Sequence, residues 1–130
     1  MAQSSNSFHE STDQLKPETM DRHRAIVSIM EELEAVDWYD QRVDAAGDAE
    51  LRAILAHNRD EEKEHATMTL EWLRRRDPGW DEQLRKYLFT DKPIMEVEHA
   101  AEGGEANGEG ADRGDGSLGI GSLRERSSAR

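Results

Sequence analysis

The sequence predicts an all-α fold, a two-helix antiparallel hairpin followed by one short helix, and three observations predict it. After Pro17 no Gly or Pro interrupts the chain until Gly47, and none occurs from Ala49 to Arg76. In both stretches apolar residues recur at spacings of three and four, the period of a helix face. The link between them is so short that the two helices must run back along one another.

Each element has its own local signals. Residues 1–16 are a polar leader rich in Ser, read as flexible. Pro17 suits the first turn of a helix, and Glu18 and Asp21 complement its N-terminal dipole. Gly47 ends that helix and Asp48 caps the next. The second helix finishes in Arg74, Arg75 and Arg76, cations suited to a C-terminal dipole, before Asp77, Pro78 and Gly79 break it. A third, short helix is expected from Trp80 to Phe89. The helical domain is thus residues 17–95. Residues 96–116 turn to Gly, Ala and Glu and are read as a disordered linker, and residues 117–130 form a distinct terminal peptide.

Composition limits what such a chain does. Of 130 residues, 35% are apolar and 35% charged. Eight of the ten glycines fall between Gly103 and Gly121, and no aromatic follows Phe89. A packable body this short buries little surface without disulfides, metal or association. There is no Cys, which removes disulfides and thiolate metal sites. A net charge of −12 argues against a nucleic-acid partner and favours a cationic one. No apolar run approaches the ~20 residues that span a bilayer. The polar N-terminus lacks secretory features, so a soluble cytoplasmic chain is expected.

The helix faces carry the chemistry. On the first helix Ala25, Ile29, Glu32, Val36, Tyr39 and Val43 form one stripe, with Glu32 inside an apolar row. On the second, Leu51, Leu55, Asn58, Glu62, His65, Thr69 and Trp72 repeat the pattern, with Ile54, Ala66, Leu70 and Leu73 in the same arc. A carboxylate facing an apolar interior is costly unless compensated, and a bound cation compensates it. Glu62 and His65 project from one face at i, i+3 spacing, and Glu32 lies at matching depth on the neighbouring helix. Ferritin-like di-iron bundles take one Glu from each of two helices and a Glu-x-x-His pair from each of the other two. This chain supplies one of each. Two copies about a two-fold axis would complete a four-helix bundle and bury the apolar stripes that a lone hairpin leaves wet. A dimer with metals at its interface is therefore expected.

Competing readings accompany each feature. Glu61, at i, i+4 from His65, is an alternative to Glu62, though it points toward the edge of the arc. Glu96 and His99 repeat the Glu-x-x-His spacing, but with no expected helix to hold them they are read as fortuitous. His57, His23 and His9 lack a carboxylate partner in register and are read as surface or dimer-contact residues. Glu31, Glu34 and Trp38 form a second row, either a solvated face or an outer cation site feeding the inner one, with Asp37 nearby. Tyr39 is either a hydrogen-bond partner of a metal ligand or a packed core residue. Carboxylates with one imidazole and no thiolate suit iron or manganese better than structural zinc. The expected reaction is oxidation of Fe(II) to Fe(III) by dioxygen. A non-catalytic, metal-bridged helical adaptor and a di-iron enzyme acting on an organic or peroxide substrate are the rivals. In the terminal peptide, Leu118, Ile120 and Leu123 are spaced to enter pockets of a partner, the alternative being an inert tail.

The run Ser117, Leu118, Gly119, Ile120, Gly121, Ser122, Leu123, Arg124 resembles the cargo-loading peptide of encapsulin nanocompartments. The body is similar to the encapsulated ferritins over about residues 10–95. The segments that carry this likeness are Arg22 to Val27, Glu31 to Tyr39, His57-Asn58, Glu61-Glu62, Glu64-His65 and Met68 to Leu73. The resemblance implies a ferroxidase of two-helix subunits whose dimers form the di-iron centre, with two Fe per dimer interface, and assemble into a ring-shaped homodecamer. It implies that Glu32, Glu62 and His65 are the ligands, with Tyr39 adjacent. It also implies an outer access site at Glu31 and Glu34, open to calcium or other divalent cations, with Trp38 beside the path. The partner implied is an encapsulin shell protein, and the location is the lumen of a nanocompartment in the prokaryotic cytoplasm, where the oxidised iron is stored as mineral.

Overall fold

A computed structural model describes residues 7–109, all helix and connecting turns. Four α-helices follow one another: α1 Pro17–Ala45, α2 Ala49–Arg76, α3 Pro78–Tyr87 and α4 Ile94–Glu109. The described residues fall into two units that divide within α3, the first ending at Gln83 and the second beginning at Leu84.

The first unit is the expected hairpin. Pro17 opens α1, and the chain leaves it through Ala46, extended at φ −70° and ψ 132°. Asp48 caps α2 by accepting from the Leu51 amide at 2.8 Å. The turn is tied further by Arg52, whose Nη2 donates to the Ala46 carbonyl at 2.5 Å. α1 and α2 pack on each other along their length.

At the far end of α2 the sequence expectation is corrected by two residues. Asp77 closes α2 by donating its amide to the Leu73 carbonyl, and its Oδ1 accepts from the Gly79 amide at 3.0 Å. Pro78, read as a breaker, is instead the first residue of α3, where its fixed φ suits the opening turn. Gly79 leaves room for this cap, since a Cβ there would lie 3.3 Å from Asp77 Oδ1. Arg74 spans the corner, pairing with Glu71 at 2.7 Å and with Asp81 on α3.

The leader is also more ordered than its composition implies. Residues 12–14 form a single 3₁₀ turn, with Ser11 Oγ accepting from the Asp13 amide at 3.4 Å. The Phe8 ring lies 4.4 Å from the His23 ring of α1. Hydroxyl and carboxylate side chains that make local turns, together with one aromatic, are enough to lay this stretch on the helix. Residues 1–6 lie outside the description.

In the second unit α3 ends with Phe89 in the left-handed region, φ 64°, and Thr90 Oγ1 donating to the Tyr87 carbonyl at 2.9 Å. The Pro93 carbonyl then accepts from the Glu96 amide at 2.9 Å and starts α4. The expected disordered linker of residues 96–116 is therefore helical as far as Glu109, and residues 110–116 lie outside the description. The reason is propensity: Met95 to Glu102 is dominated by Glu and Ala, strong helix formers, before the first linker glycine. Burial, and the charges of Glu98 and Glu102, push the Tyr87 hydroxyl above its ordinary pKa.

Little of the hairpin is buried by the single chain. Ala25, Ala66 and Leu73 are its buried apolar residues, and only Leu73 is enclosed to 1% exposure. Burying Leu73 contributes on the order of 2 kcal/mol. Large apolar residues stay open along the same two helices: Leu33 at 57%, Ile54 at 51% and Met68 at 58% exposure, with Ile26, Leu51 and Trp38 also uncovered. That much exposed apolar surface on a small helical unit marks an interaction face.

Candidate metal centre

Midway along the hairpin α1 and α2 bring three of the expected side chains together. His65 Nδ1 lies 3.5 Å from Glu62 Oε1 on its own helix and 3.7 Å from Glu32 Oε1 across the hairpin. One donor atom from each of Glu32, Glu62 and His65 falls within 4.8 Å of the others, and among the described residues this is the one such group of three. The i, i+3 spacing places Glu62 and His65 one above the other, and the packing of α1 places Glu32 opposite.

The electrostatics of the cluster centre on Glu32. The Glu32 carboxyl is pushed above its ordinary pKa, chiefly by a hydrogen bond with Glu62, then by desolvation and by repulsion from the Glu62 charge. His65 opposes the shift and the neighbouring Glu31 adds to it. Two half-buried carboxylates side by side are hard to keep charged together. A divalent ion among them displaces the proton and satisfies the set, so the donor chemistry fits iron or manganese. One chain offers two carboxylates and one imidazole, too few to surround such an ion.

The other expected residues are placed less decisively. Glu61, the alternative to Glu62, is not drawn to His65. Its Oε2 lies 3.1 Å from His57 Nε2. This corrects the reading that His57 lacks a carboxylate in register, because the two stand at i, i+4 on an exposed face. His23 stacks on Phe8. Glu31 is exposed and Glu34 half-buried on α1, with no third donor gathered to them among the described residues. Trp38 is half exposed and lines an open groove of about 450 Å³ with Gln41, Arg42 and Ala45. The Tyr39 ring is covered by the Arg42 guanidinium at 5.3 Å, which lies 5.9 Å from the Trp38 ring as well. Arg42 is a contact that sequence reading missed, though its i+3 and i+4 offsets from the two aromatics were there to be seen. Glu96 and His99 do stand on a helix, α4, yet both are exposed and no third donor joins them among the described residues. Ser117 to Arg124 lie outside the description.

The fold and this cluster define a class: helical-hairpin proteins with two carboxylates and an imidazole gathered between two helices, a candidate metal site. Residues 7–91 match the EncFtn-like family, and the chain belongs to it. It is 68% identical over 129 residues to the encapsulated ferritin-like protein of Rhodospirillum rubrum, covering 95% of this chain and 92% of that one. It is 57% identical over 100 residues to a ferritin-like protein of Thermotoga maritima, covering 77% of this chain and 88% of the relative. Over 73 residues it is 34% identical to the encapsulin nanocompartment cargo protein EncC of Myxococcus xanthus, 56% of either chain. The crystal structure of protein ne0167 from Nitrosomonas europaea superposes with a TM-score of 0.66 at 65% identity, over 68% of this chain and 97% of that one. Among the described residues no helix is long and apolar enough to cross a membrane.

Proposed function

We propose that the chain is a ferroxidase subunit whose two-iron centre is completed by a second copy. The observation that carries this reading is the convergence of Glu32, Glu62 and His65 within 4.8 Å on a hairpin that supplies half a ligand set. Fe(II) is the substrate: each ion gives up one electron, and dioxygen accepts the electrons. The protein's part is placement and charge. Glu32 and Glu62 from each of two copies would hold the two ions and offset the charge gained on oxidation, while His65 from each copy would supply a neutral donor. The proton favoured on the raised Glu32 carboxyl would leave as the ions bind. Glu31 and Glu34 with Trp38 would form the outer access site, where calcium or another divalent cation competes, and Tyr39 would lie beside the centre.

The partners follow from the relatives. One is described as encapsulated and another as an encapsulin cargo protein, and Ser117 to Arg124 have the pattern of a peptide that binds in extended form. The chain would therefore be delivered by that peptide to an encapsulin shell, as a ring of dimers, a decamer. It would work in the shell's lumen in the prokaryotic cytoplasm, supplying Fe(III) for storage there.

Oxygen uptake when an anaerobic Fe(II) stock is added to the air-equilibrated protein tests the reading. The unaltered chain should consume dioxygen rapidly. Glu32→Ala, Glu62→Ala and His65→Ala should each slow the initial rate by about 100-fold or more, beyond the usual effect of residues that only support a ligand. Metal binding without oxygen uptake would make the chain a metal-bridged adaptor instead.

A further inference from the structure

A helical hairpin keeps a converged site only if its helices do not slip, since one residue of slip moves a side chain ~1.5 Å along the axis and turns it by about 100°. The packed residues that oppose slippage lie on one side of the cluster. Ala25, Ala66 and Leu73 are all on the side away from the turn. From Leu33 to Glu61, the stretch that leads to the turn and back, no described residue reaches the same burial.

An ion pair bridges that half-buried stretch. Arg59 Nη1 on α2 donates to Asp40 Oδ1 on α1 at 3.1 Å. Arg59 is held from its own helix as well, with Nε donating to Asp60 Oδ1 at 3.0 Å, the same oxygen that lies 3.6 Å from Lys63 Nζ. Its side chain is 24% exposed, whereas Asp40 is 55% exposed. The planar guanidinium presents a fork of donors in fixed geometry, and it is the bond to Asp40 that reaches across the hairpin. Arg59 stands three residues, ~4.5 Å along the axis, before Glu62.

We infer that Asp40 and Arg59 are a register clamp, positioning residues that hold α1 against α2 so that Glu32 meets Glu62 and His65 before any metal arrives. An exposed ion pair adds little to global stability. Its leverage is on register, along a stretch whose apolar side chains, Val36, Val43 and Leu55 among them, are only half-buried. The inference rests on the metal-site reading above.

Two substitutions separate register from charge. Asp40→Ala removes the cross-hairpin acceptor and leaves Arg59 paired with Asp60. Asp60→Ala removes the same charge beside the same guanidinium and leaves the cross-hairpin bond. The full-length chain is titrated with Co(II), whose visible absorption reports ligand geometry, and hydrogen exchange over residues 33–61 is followed in the metal-free protein. Asp40→Ala should weaken Co(II) binding about tenfold, the scale expected for residues that orient ligands. It should also shift the absorption bands and speed the exchange, while Asp60→Ala leaves all three near the unaltered chain. Arg59→Lys, which keeps the charge without the fork, should fall between them and covers the case in which Asp40→Ala loses helicity. Equal behaviour of Asp40→Ala and Asp60→Ala, or an unchanged Arg59→Lys, overturns the clamp alone. If the unaltered chain and Glu62→Gln bind Co(II) alike, the metal site and the clamp fall together.

Discussion

Glu62 with His65 on α2 and Glu96 with His99 on α4 share one spacing, and both pairs stand on helices. Only the first pair meets a third donor among the described residues, Glu32 from across the hairpin. The difference teaches that Glu-x-x-His sets two donors on one face and no more. What makes a candidate site is a second element that brings another carboxylate to the same depth, in surroundings poor enough in water to make the charges costly. Around Glu32 and Glu62 the surroundings are half-buried, and the Glu32 carboxyl titrates above its ordinary value. Glu96 and His99 are exposed, where their charges cost little.

Substitution of each pair breaks or sharpens this contrast. The largest effect is expected for Glu62→Gln, which should weaken Co(II) binding by about 100-fold, whereas Glu96→Gln should leave it unchanged in the same calorimetric titration. Equal losses would mean that spacing alone suffices and that the third donor is incidental.

A smaller effect separates two carboxylates on the hairpin that are shifted in opposite directions. The Glu32 pKa is raised in the folded chain, so protonated Glu32 contributes stability below its ordinary value, and that contribution is lost as pH rises through the raised pKa. The thermal midpoint of the metal-free protein should therefore fall across that window, and Glu32→Gln should flatten the fall. Divalent metal should reverse the slope by displacing the proton. Glu71, by contrast, is held at about 2, first by its hydrogen bond with Arg74 and then by that with Arg75. Its contribution is present above the ordinary carboxylate value and disappears only as pH falls through about 2. Thermal midpoints of Glu32→Gln and Glu71→Gln, compared with the unaltered chain from acid to neutral pH, check both signs. A rise in the metal-free midpoint where a fall is expected would contradict the Glu32 assignment.

The hairpin was legible because its rules are local. Uninterrupted helical periodicity, Pro17 at the start of α1 and Asp48 as the cap of α2 are all decided within a few residues. The convergence of Glu32, Glu62 and His65 was legible for a related reason: a short turn fixes which residues of two antiparallel helices lie level, and three polar residues in apolar stripes stand out. What escaped depended on weaker or competing signals. α4 was hidden because the glycines after Glu102 made the whole stretch resemble a linker, although Met95 to Glu102 favours a helix. Pro78 was read as a breaker because the same residue serves to stop one helix and to start the next. The turn in the leader rests on Ser11 and Phe8 alone. The Asp40 and Arg59 pair lies on outward positions, where apolar periodicity is silent.

The central claim is that one hairpin holds half a metal site and a symmetric copy supplies the rest. Anomalous diffraction at the iron edge from crystals grown with Fe(II) tests it most directly. The account predicts two iron peaks beside a two-fold axis, each within bonding distance of carboxylate oxygens and His65 nitrogen drawn from both copies. Iron held by Glu32, Glu62 and His65 of one chain alone, with those side chains facing bulk water and no two-fold neighbour, would contradict it.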